Sequence, residues 1–351
     1  MADRFDPVQT MLRNAVATRA CPAVVVETGT ASNVEWQHAA GALTYEPDAA
    51  PARLDTVFDL ASLTKVIATA SLTMRAIDSG RLTLDDPVAR WLRDWRGRDR
   101  DIVTVRDLLA HCAGLTAYLP LFRDSSGRAE FEHAICALPL EYPPRTQAVY
   151  SDLGFVLLGF ILEDATGARL ADQFAAIASL VDPDPILFSP PRAWRSRVAP
   201  TEIDPWRGRL LAGEVHDENT WALGGAAGHA GLFGTTAAVG RFARLVLQTL
   251  EGDSVLTRAA ILRTFVRKTT IPGSSRALAW DTMLPTSSCG SRMSARAFGH
   301  TGFTGTSLWI DPERRIYIVV LANRVHPTRE NEAFKALRPR IHEEIMRGWG
   351  F

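Results

Sequence analysis

Apolar residues follow two different spacings at the start of the chain. Residues 6–19 carry them at helical spacing, and residues 23–28 begin with a continuous apolar run over 23–26 and end before Gly29. The first pattern predicts an amphipathic helix, and the second predicts a buried strand. Because residues 34–42 can form a second strand, we expect the chain to open with one helix and the beginning of a sheet.

Helical patterns dominate the middle of the chain. One apolar helical pattern begins near Ser62 and stops at Gly80, a typical C-terminal residue of a helix. Residues 86–200 then alternate loops with short helical patterns, of which the clearest predicts a helix over 152–165. We interpret this stretch as an insertion that is mainly helical.

The last third of the chain returns to strands. Apolar runs at 306–310 and 316–321 flank the polar residues 311–315, a pattern that is typical of an antiparallel hairpin. A helical pattern over 330–347 closes the chain.

These elements predict an α+β fold, in which N- and C-terminal helices flank an antiparallel sheet. Residues 1–75 and 215–351 are expected to form the sheet domain, and residues 76–214 an inserted, mainly helical domain. An active site would then lie in the cleft between the two domains.

The composition is that of an ordinary folded protein without a dominant charge. Basic and acidic residues number 39 each, so the formal net charge is +0, and no basic stripe with interleaved aromatic residues occurs. Nucleic acid is therefore a poor candidate for the main partner. No apolar stretch is long enough to cross a bilayer, and the first residues lack the pattern of a secretory signal. We accordingly expect a cytoplasmic protein without a membrane span.

The four cysteines are widely spaced and include no Cys-x-x-Cys pair, which favours free thiols over a zinc or redox site. They are Cys21, Cys112, Cys136 and Cys289.

Lysine is rare in this chain, and one lysine stands close to a serine. Only Lys65, Lys268 and Lys335 are lysines, and the other basic residues are all arginines. Arginine stays charged in almost any site, whereas a buried lysine can lose its proton and act as a base. Lys65 follows Ser62 by three positions, so on a helix both side chains share one face. This spacing suits a serine nucleophile with a basic neighbour; the alternative is a helix cap beside a solvated charge.

Two further triplets follow in the order that such a site requires. Tyr150-Ser151-Asp152 precedes the helix predicted over 152–165, and His300-Thr301-Gly302 precedes a predicted strand. The series Ser-x-x-Lys, Tyr-x-Asn and Lys-Thr-Gly is typical of class C β-lactamases. Residues 108–115 are also similar to a Leu-Leu-x-His-x-x-Gly-Leu segment of the same proteins. The chain thus resembles the serine β-lactamase and penicillin-binding protein superfamily over most of its length.

The resemblance implies a role for each matched residue. Ser62 would be the nucleophile, Lys65 the amine that accepts its proton, and Tyr150 the phenol that protonates the leaving group. The backbone N–H groups of Ser62 and Phe303 would form the oxyanion hole. Because the pKa of free tyrosine is about 10, the scheme needs the positive charge of Lys65 beside the phenol. The remaining matched residues would bind substrate; they are Asp152, His300, Thr301 and Gly302.

Two positions depart from the β-lactamase pattern. Asp152 stands where the family often has Asn, and His300 replaces the Lys of Lys-Thr-Gly. Both changes make the site less positive where a penicillin carboxylate would bind. Efficient β-lactam hydrolysis is therefore not expected, and esterases such as family VIII carboxylesterases, together with peptide-bond amidases, are the favoured relatives. A true β-lactamase and a non-catalytic ligand-binding or sensor protein are the alternatives.

Residues 213–219 and 228–233 are similar to a segment of bacterial muramoyl-L-alanine amidases of cell-wall recycling. Its polar residues either contact a polar substrate, such as a sugar or peptide, or form a hydrogen-bonded loop that fixes the domain interface. They are His216, Asp217, Glu218, Asn219 and His229. A metal site is not expected, because the His-Glu-x-x-His spacing is absent.

The signatures of other enzyme classes are missing. The chain has no Gly-x-Ser-x-Gly elbow and no Gly-rich nucleotide-binding motif, so we expect no cofactor. The expected substrate is a small ester, amide or muropeptide, with a D-amino-acid peptide as an alternative. The sequence leaves the physiological substrate and the oligomeric state open.

Overall fold

The computed structural model describes residues 4–183 and 186–351. Within these ranges the helices are α1 Asp6–Ala17, α2 Ser71–Asp78, α3 Val88–Trp91, α4 Val105–Leu109, α5 Gly127–Ala137, α6 Asp152–Thr166, α7 Leu170–Ala178, α8 Glu218–Ala222, α9 Thr236–Glu251, α10 Ala259–Val266 and α11 Ala333–Gly348. The strands are β1 Ala23–Thr30, β2 Val34–Gly41, β3 Phe58–Asp59, β4 Ile186–Phe188, β5 Ile203–Asp204, β6 Arg209–Leu210, β7 Leu232–Gly234, β8 Asp281–Thr282, β9 Phe298–Thr301, β10 Ser307–Asp311 and β11 Ile316–Ala322. Short 3₁₀ turns occur at Leu121–Arg123, Ser179–Val181 and Arg192–Arg197, and a π-helical segment at Lys65–Ala70.

The main sheet is antiparallel and joins the two ends of the chain. Its six strands follow the order β2-β1-β11-β10-β9-β8, and Val26 of β1 lies opposite Val320 of β11. Both faces are covered: α1 and α11 share an apolar cluster with one face, and α9 packs on the other. The predicted α+β class, with terminal helices flanking an antiparallel sheet, is therefore confirmed.

Helix α6 is the buried centre of the helical region. Residues 153–162 are all buried, and α2, α4, α5 and α7 pack around them. Ser151 caps the start of the helix by accepting the Gly154 N–H, and Gly167, at a φ of 74°, ends it in the left-handed region. Asp152 is the first residue of this helix, and Tyr150 directly precedes its cap. The buried helix therefore fixes the positions of both residues. The division of the chain into two domains at residues 76 and 215 remains a prediction.

The segment after Ser62 differs from the single helix expected up to Gly80. Ser62 lies in a turn, the π-helical segment follows it, and a regular α-helix occupies only Ser71–Asp78. All six residues of the π-helical segment are buried, so the sequence pattern there does not distinguish a π-helix from a buried α-helix. Within the segment, Thr69 Oγ1 donates to the Gly228 carbonyl at 2.6 Å. Such π-helical turns are frequent at functional sites.

Candidate active site

Ser62 stands on a strained turn between β3 and the π-helical segment. The preceding Ala61 has a φ of +47°, a conformation that residues with a side chain rarely adopt. Asp59 supports this turn, since its Oδ1 accepts the Ala61 N–H at 2.8 Å and its Oδ2 accepts the His216 N–H at 2.7 Å. Burial raises the pKa of Asp59 to about 6. The turn places Ser62 on the wall of a cavity of about 590 Å³.

Side chains from three distant segments meet at this serine. Lys65 Nζ donates to Ser62 Oγ at 3.0 Å, and the Tyr150 hydroxyl donates to the same oxygen at 2.8 Å. Lys65 Nζ also donates to Asp152 Oδ1 at 2.7 Å and to the His229 carbonyl at 3.0 Å. The three N–H groups of an ammonium thus each have an acceptor. The convergence that the sequence predicted is present in the structure, whereas the catalytic roles remain predictions.

The surroundings of Lys65 favour its charged form. The side chain is fully buried, which opposes the charge, but the Asp152 carboxylate and the Tyr150 oxygen outweigh burial and raise the pKa of Lys65. This differs from the partly neutral amine that the sequence led us to expect. The difference arises because Asp152 adds a carboxylate where the family often has an uncharged amide.

Tyr150 is held in its neutral form. Burial raises the pKa of the phenol, and the nearby Asp152 carboxylate adds to the rise, while the Lys65 ammonium acts in the opposite direction. The positive charge beside the phenol is present, as the resemblance requires. Burial and the carboxylate nevertheless keep the phenol protonated in the resting protein.

Two residues that contact the Tyr150 ring were not among the predicted site residues. The ring centroid of His111 lies 4.7 Å from that of Tyr150, and the Arg276 guanidinium lies 4.8 Å from the Tyr150 centroid. His111 Nδ1 accepts the Ser151 N–H at 3.0 Å, and burial together with Arg276 lowers the pKa of this histidine well below 6.5. The motif-like segment 108–115 pointed to His111, whereas no motif contained Arg276.

The third motif packs its backbone directly against the serine turn. A Cβ on Gly302 would overlap Thr306 Oγ1 and would approach the Leu60 carbonyl to 2.6 Å and Ala61 Cβ to 3.3 Å. Glycine therefore permits a contact that no other residue allows. Among the described residues, the backbone N–H groups of Ser62 and Phe303 donate no hydrogen bond to another protein group. Both groups are available to an oxyanion, as the resemblance implies.

His300 lies on the cavity wall as a neutral imidazole. Its Nδ1 donates to the Thr301 carbonyl at 2.8 Å, while Nε2 is buried without a partner among the described residues. Burial, with Arg276 and Lys65 adding to it, lowers the pKa of His300 well below 6.5. In this tautomer Nε2 is an acceptor, suited to an N–H or O–H of a substrate. Thr301 also lines the cavity.

The segment similar to the amidases lines the cavity and is also hydrogen-bonded as a loop, whereas contact with a substrate stays a prediction. His216, Asp217, Glu218 and His229 line the cavity. Asn219 does not, because its side chain joins the Leu119 carbonyl and the Phe122 N–H, both at 2.9 Å. His229 Nε2 lies 2.8 Å from Asp217 Oδ1, so this pair is fixed within the loop as well as exposed to the cavity.

The Gly-rich part of this segment is shaped by helix packing. A Cβ on Gly228 would collide with the Phe155 carbonyl of α6, and the Gly228 carbonyl also accepts the Thr69 hydroxyl. The close approach brings the His229 carbonyl to Lys65. Over residues 4–183 and 186–351, no group of His, Cys, Asp and Glu side chains is arranged to hold a metal ion. In the same ranges no helix has the length and apolar character needed to cross a membrane.

The fold is that of the serine β-lactamase and penicillin-binding protein superfamily. The model of the Beta-lactamase family matches residues 8–339, and the chain belongs to this family.

The relatives and similar solved structures carry names that describe different activities. The "Putative D-alanyl-D-alanine carboxypeptidase" of Escherichia coli (strain K12) is 31% identical over 317 residues, which cover 77% of this chain and 70% of that protein. The LovD6 mutant of simvastatin synthase from Aspergillus terreus superposes with a TM-score of 0.77 at 20% identity, covering 100% of this chain and 98% of that one. EstCE1, described as a hydrolase with promiscuous acyltransferase activity, has a TM-score of 0.74 at 21% identity, covering 95% of this chain and 98% of that one.

Proposed function

We propose that this protein is a serine hydrolase that cleaves a small ester or amide through an acyl-enzyme on Ser62. The observation that carries the proposal is the pair of hydrogen bonds that Lys65 and Tyr150 donate to Ser62 Oγ, at 3.0 and 2.8 Å. A serine that serves only as a helix cap needs neither a buried lysine nor a phenol beside it. The family membership and the names of the relatives support the same reaction class.

In the proposed reaction, Ser62 Oγ bonds to the carbonyl carbon of the substrate, and the bond from that carbon to the leaving oxygen or nitrogen breaks. The proton of the Ser62 hydroxyl ends on the leaving group after passing through Lys65 and Tyr150. The N–H groups of Ser62 and Phe303 bind the oxyanion of the tetrahedral intermediate. Water then attacks the acyl-enzyme, releases the acid and restores the proton to Ser62.

We infer further that esters and peptide-like amides are better substrates than β-lactams. The imidazole of His300 carries no charge to bind the carboxylate of a penicillin, and Asp152 adds negative charge next to Ser62. A D-amino-acid peptidase is the second candidate, since the curated relatives are named as D-alanyl-D-alanine carboxypeptidases. A cytoplasmic location remains a prediction.

Active-site labelling tests this function directly. The protein is treated with a fluorophosphonate and analysed by peptide mass spectrometry, and Ser62→Ala serves as the control. We expect one adduct on Ser62, none in the variant, and turnover of p-nitrophenyl acetate and of a D-alanyl-D-alanine peptide that exceeds turnover of nitrocefin. A protein with no adduct and no turnover would instead be a binding or sensor protein. Nitrocefin as the best substrate would contradict the argument from His300 and Asp152.

The pH profile tests the role of Asp152. Its carboxylate raises the pKa of Lys65 against the effect of burial, so Asp152→Asn leaves burial dominant and lowers that pKa. Because Lys65 must be deprotonated to accept a proton, the rising limb of kcat/KM should move to lower pH in Asp152→Asn. The measurement is kcat/KM for p-nitrophenyl acetate from about pH 6 to about pH 10. A limb that stays in place, or moves to higher pH, would show that another group limits the reaction.

A further inference from the structure

The charged side chains around the cavity are paired, with one exception in the described part of the chain. Arg329 Nη2 lies 2.7 Å from Glu218 Oε1, and Arg276 Nη1 lies 2.9 Å from Asp281 Oδ1, although this second contact is not aligned as a hydrogen bond. Lys335, at the rim, pairs with Glu332 at 2.7 Å. The exception is Arg338 of helix α11.

Arg338 lines the cavity without an ion-pair partner of its own; the carboxylate of Glu332 acts on its charge from a longer distance and pairs with Lys335 and Arg324. The residue is 6% exposed, and its Nε and Nη2 atoms are buried without a hydrogen-bond partner. Over residues 4–183 and 186–351, no carboxylate lies within ion-pair distance of it. A buried cation without a counter-ion is costly, and proteins generally keep one only where it is used.

A second buried arginine increases the positive charge at this end of the cavity. Arg324 Nε donates to the Phe303 carbonyl at 2.9 Å, and its Nη2 is also buried without a partner among the described residues. Burial lowers the pKa of Arg338 to about 10, and the charge of Arg324 contributes to that decrease. The Arg324 guanidinium lies 4.7 Å from the ring centroid of Phe303, and Lys335 Nζ lies 5.4 Å from the same centroid. Three cations therefore lie at this end of the cavity, and the one carboxylate that pairs with two of them, Arg324 and Lys335, is the exposed Glu332.

We propose that the Arg338 end of the cavity binds a carboxylate carried by the substrate, at a distance from the bond that Ser62 cleaves. This inference rests on the proposed function and specifies its substrate class as esters or amides of an acid with a second, free carboxylate. A carboxylate there gains chiefly the attraction of the buried Arg338, and Arg324 and Lys335, which share Glu332, add a smaller part. His300 does not compete for it, because a neutral imidazole offers no charge.

Paired substrates test this inference. The p-nitrophenyl half-esters of adipic, pimelic and suberic acids each carry a free carboxylate, and the corresponding p-nitrophenyl methyl diesters do not. The three chain lengths sample the spacing between Ser62 and Arg338. We expect kcat/KM for at least one half-ester to exceed that of its diester by about tenfold or more, as a charge-assisted contact would give. In Arg338→Gln this ratio should fall to about one, and Arg338→Lys should retain part of it.

Arg340→Gln is the matched control, because it removes the same charge from an exposed position of the same helix. We expect this variant to keep the ratio of the unmodified protein. A ratio near one at every chain length in the unmodified protein, or a preference that survives in Arg338→Gln, would overturn the inference. Failure of the proposed function gives a different result, namely no labelling of Ser62 and no release of p-nitrophenol from the neutral diesters.

Discussion

Replacing Lys65 by methionine should lower kcat/KM for p-nitrophenyl acetate by about a thousandfold, the range expected for loss of a general base. Methionine fills a similar volume in the fully buried site but offers no amine to accept the Ser62 proton. It also removes the donor to Asp152, so the carboxylate loses its cation. Steady-state kinetics on the purified variant, with circular dichroism to confirm folding, provide the measurement.

Lys268→Met is the matched control for this variant. Lys268 is exposed and does not line the cavity that contains Ser62, so the same substitution there should leave kcat/KM within about twofold of the original value. The double variant Lys65→Met with Asp152→Asn removes the unpaired carboxylate and should recover stability without recovering activity. More than a tenth of the activity surviving in Lys65→Met would contradict the proposed role.

The sheet and the convergence of the three motifs at Ser62 could be predicted, because each corresponds to a recognisable residue pattern in the sequence. The apolar strands at the two ends of the chain require partners, and the pairing of Val26 with Val320 supplies them. Ser62, Lys65 and Tyr150 belong to motifs whose order along the chain is itself informative. The local residue patterns therefore predicted that these three side chains come together.

The charge state of the site could not be predicted in the same way. It depends on distances between residues far apart in sequence, such as the 2.7 Å contact of Lys65 with Asp152. Arg276 and Arg338 were missed for a related reason. Arginine is the ordinary basic residue of this chain, and only their folded positions distinguish these two: Arg276 lies against the Tyr150 ring, and Arg338 lines the cavity with two unpartnered nitrogen atoms.

Gly302→Ala should reduce kcat by about a hundredfold or more, because it displaces a proposed oxyanion donor. The new Cβ would overlap Thr306 Oγ1 and would come within 2.6 Å of the Leu60 carbonyl. The Leu60 carbonyl is backbone, so it cannot rotate away, and the strand must move from the serine turn. The adjacent Phe303 N–H moves with the strand, while Lys65 and Tyr150 keep their contacts with Ser62.

Two further variants separate this explanation from a general effect of adding a methyl group. Gly154→Ala adds a Cβ with only ordinary contacts, the nearest at 3.7 Å, so activity should be unchanged. Thr306→Ala combined with Gly302→Ala removes the side-chain overlap but retains the backbone one, and kcat should stay low. Because Ser62 still has its activating neighbours, fluorophosphonate labelling should continue at a reduced rate. Recovery of kcat in the double variant would show that the Thr306 side chain, rather than the position of the backbone donor, sets the requirement for glycine.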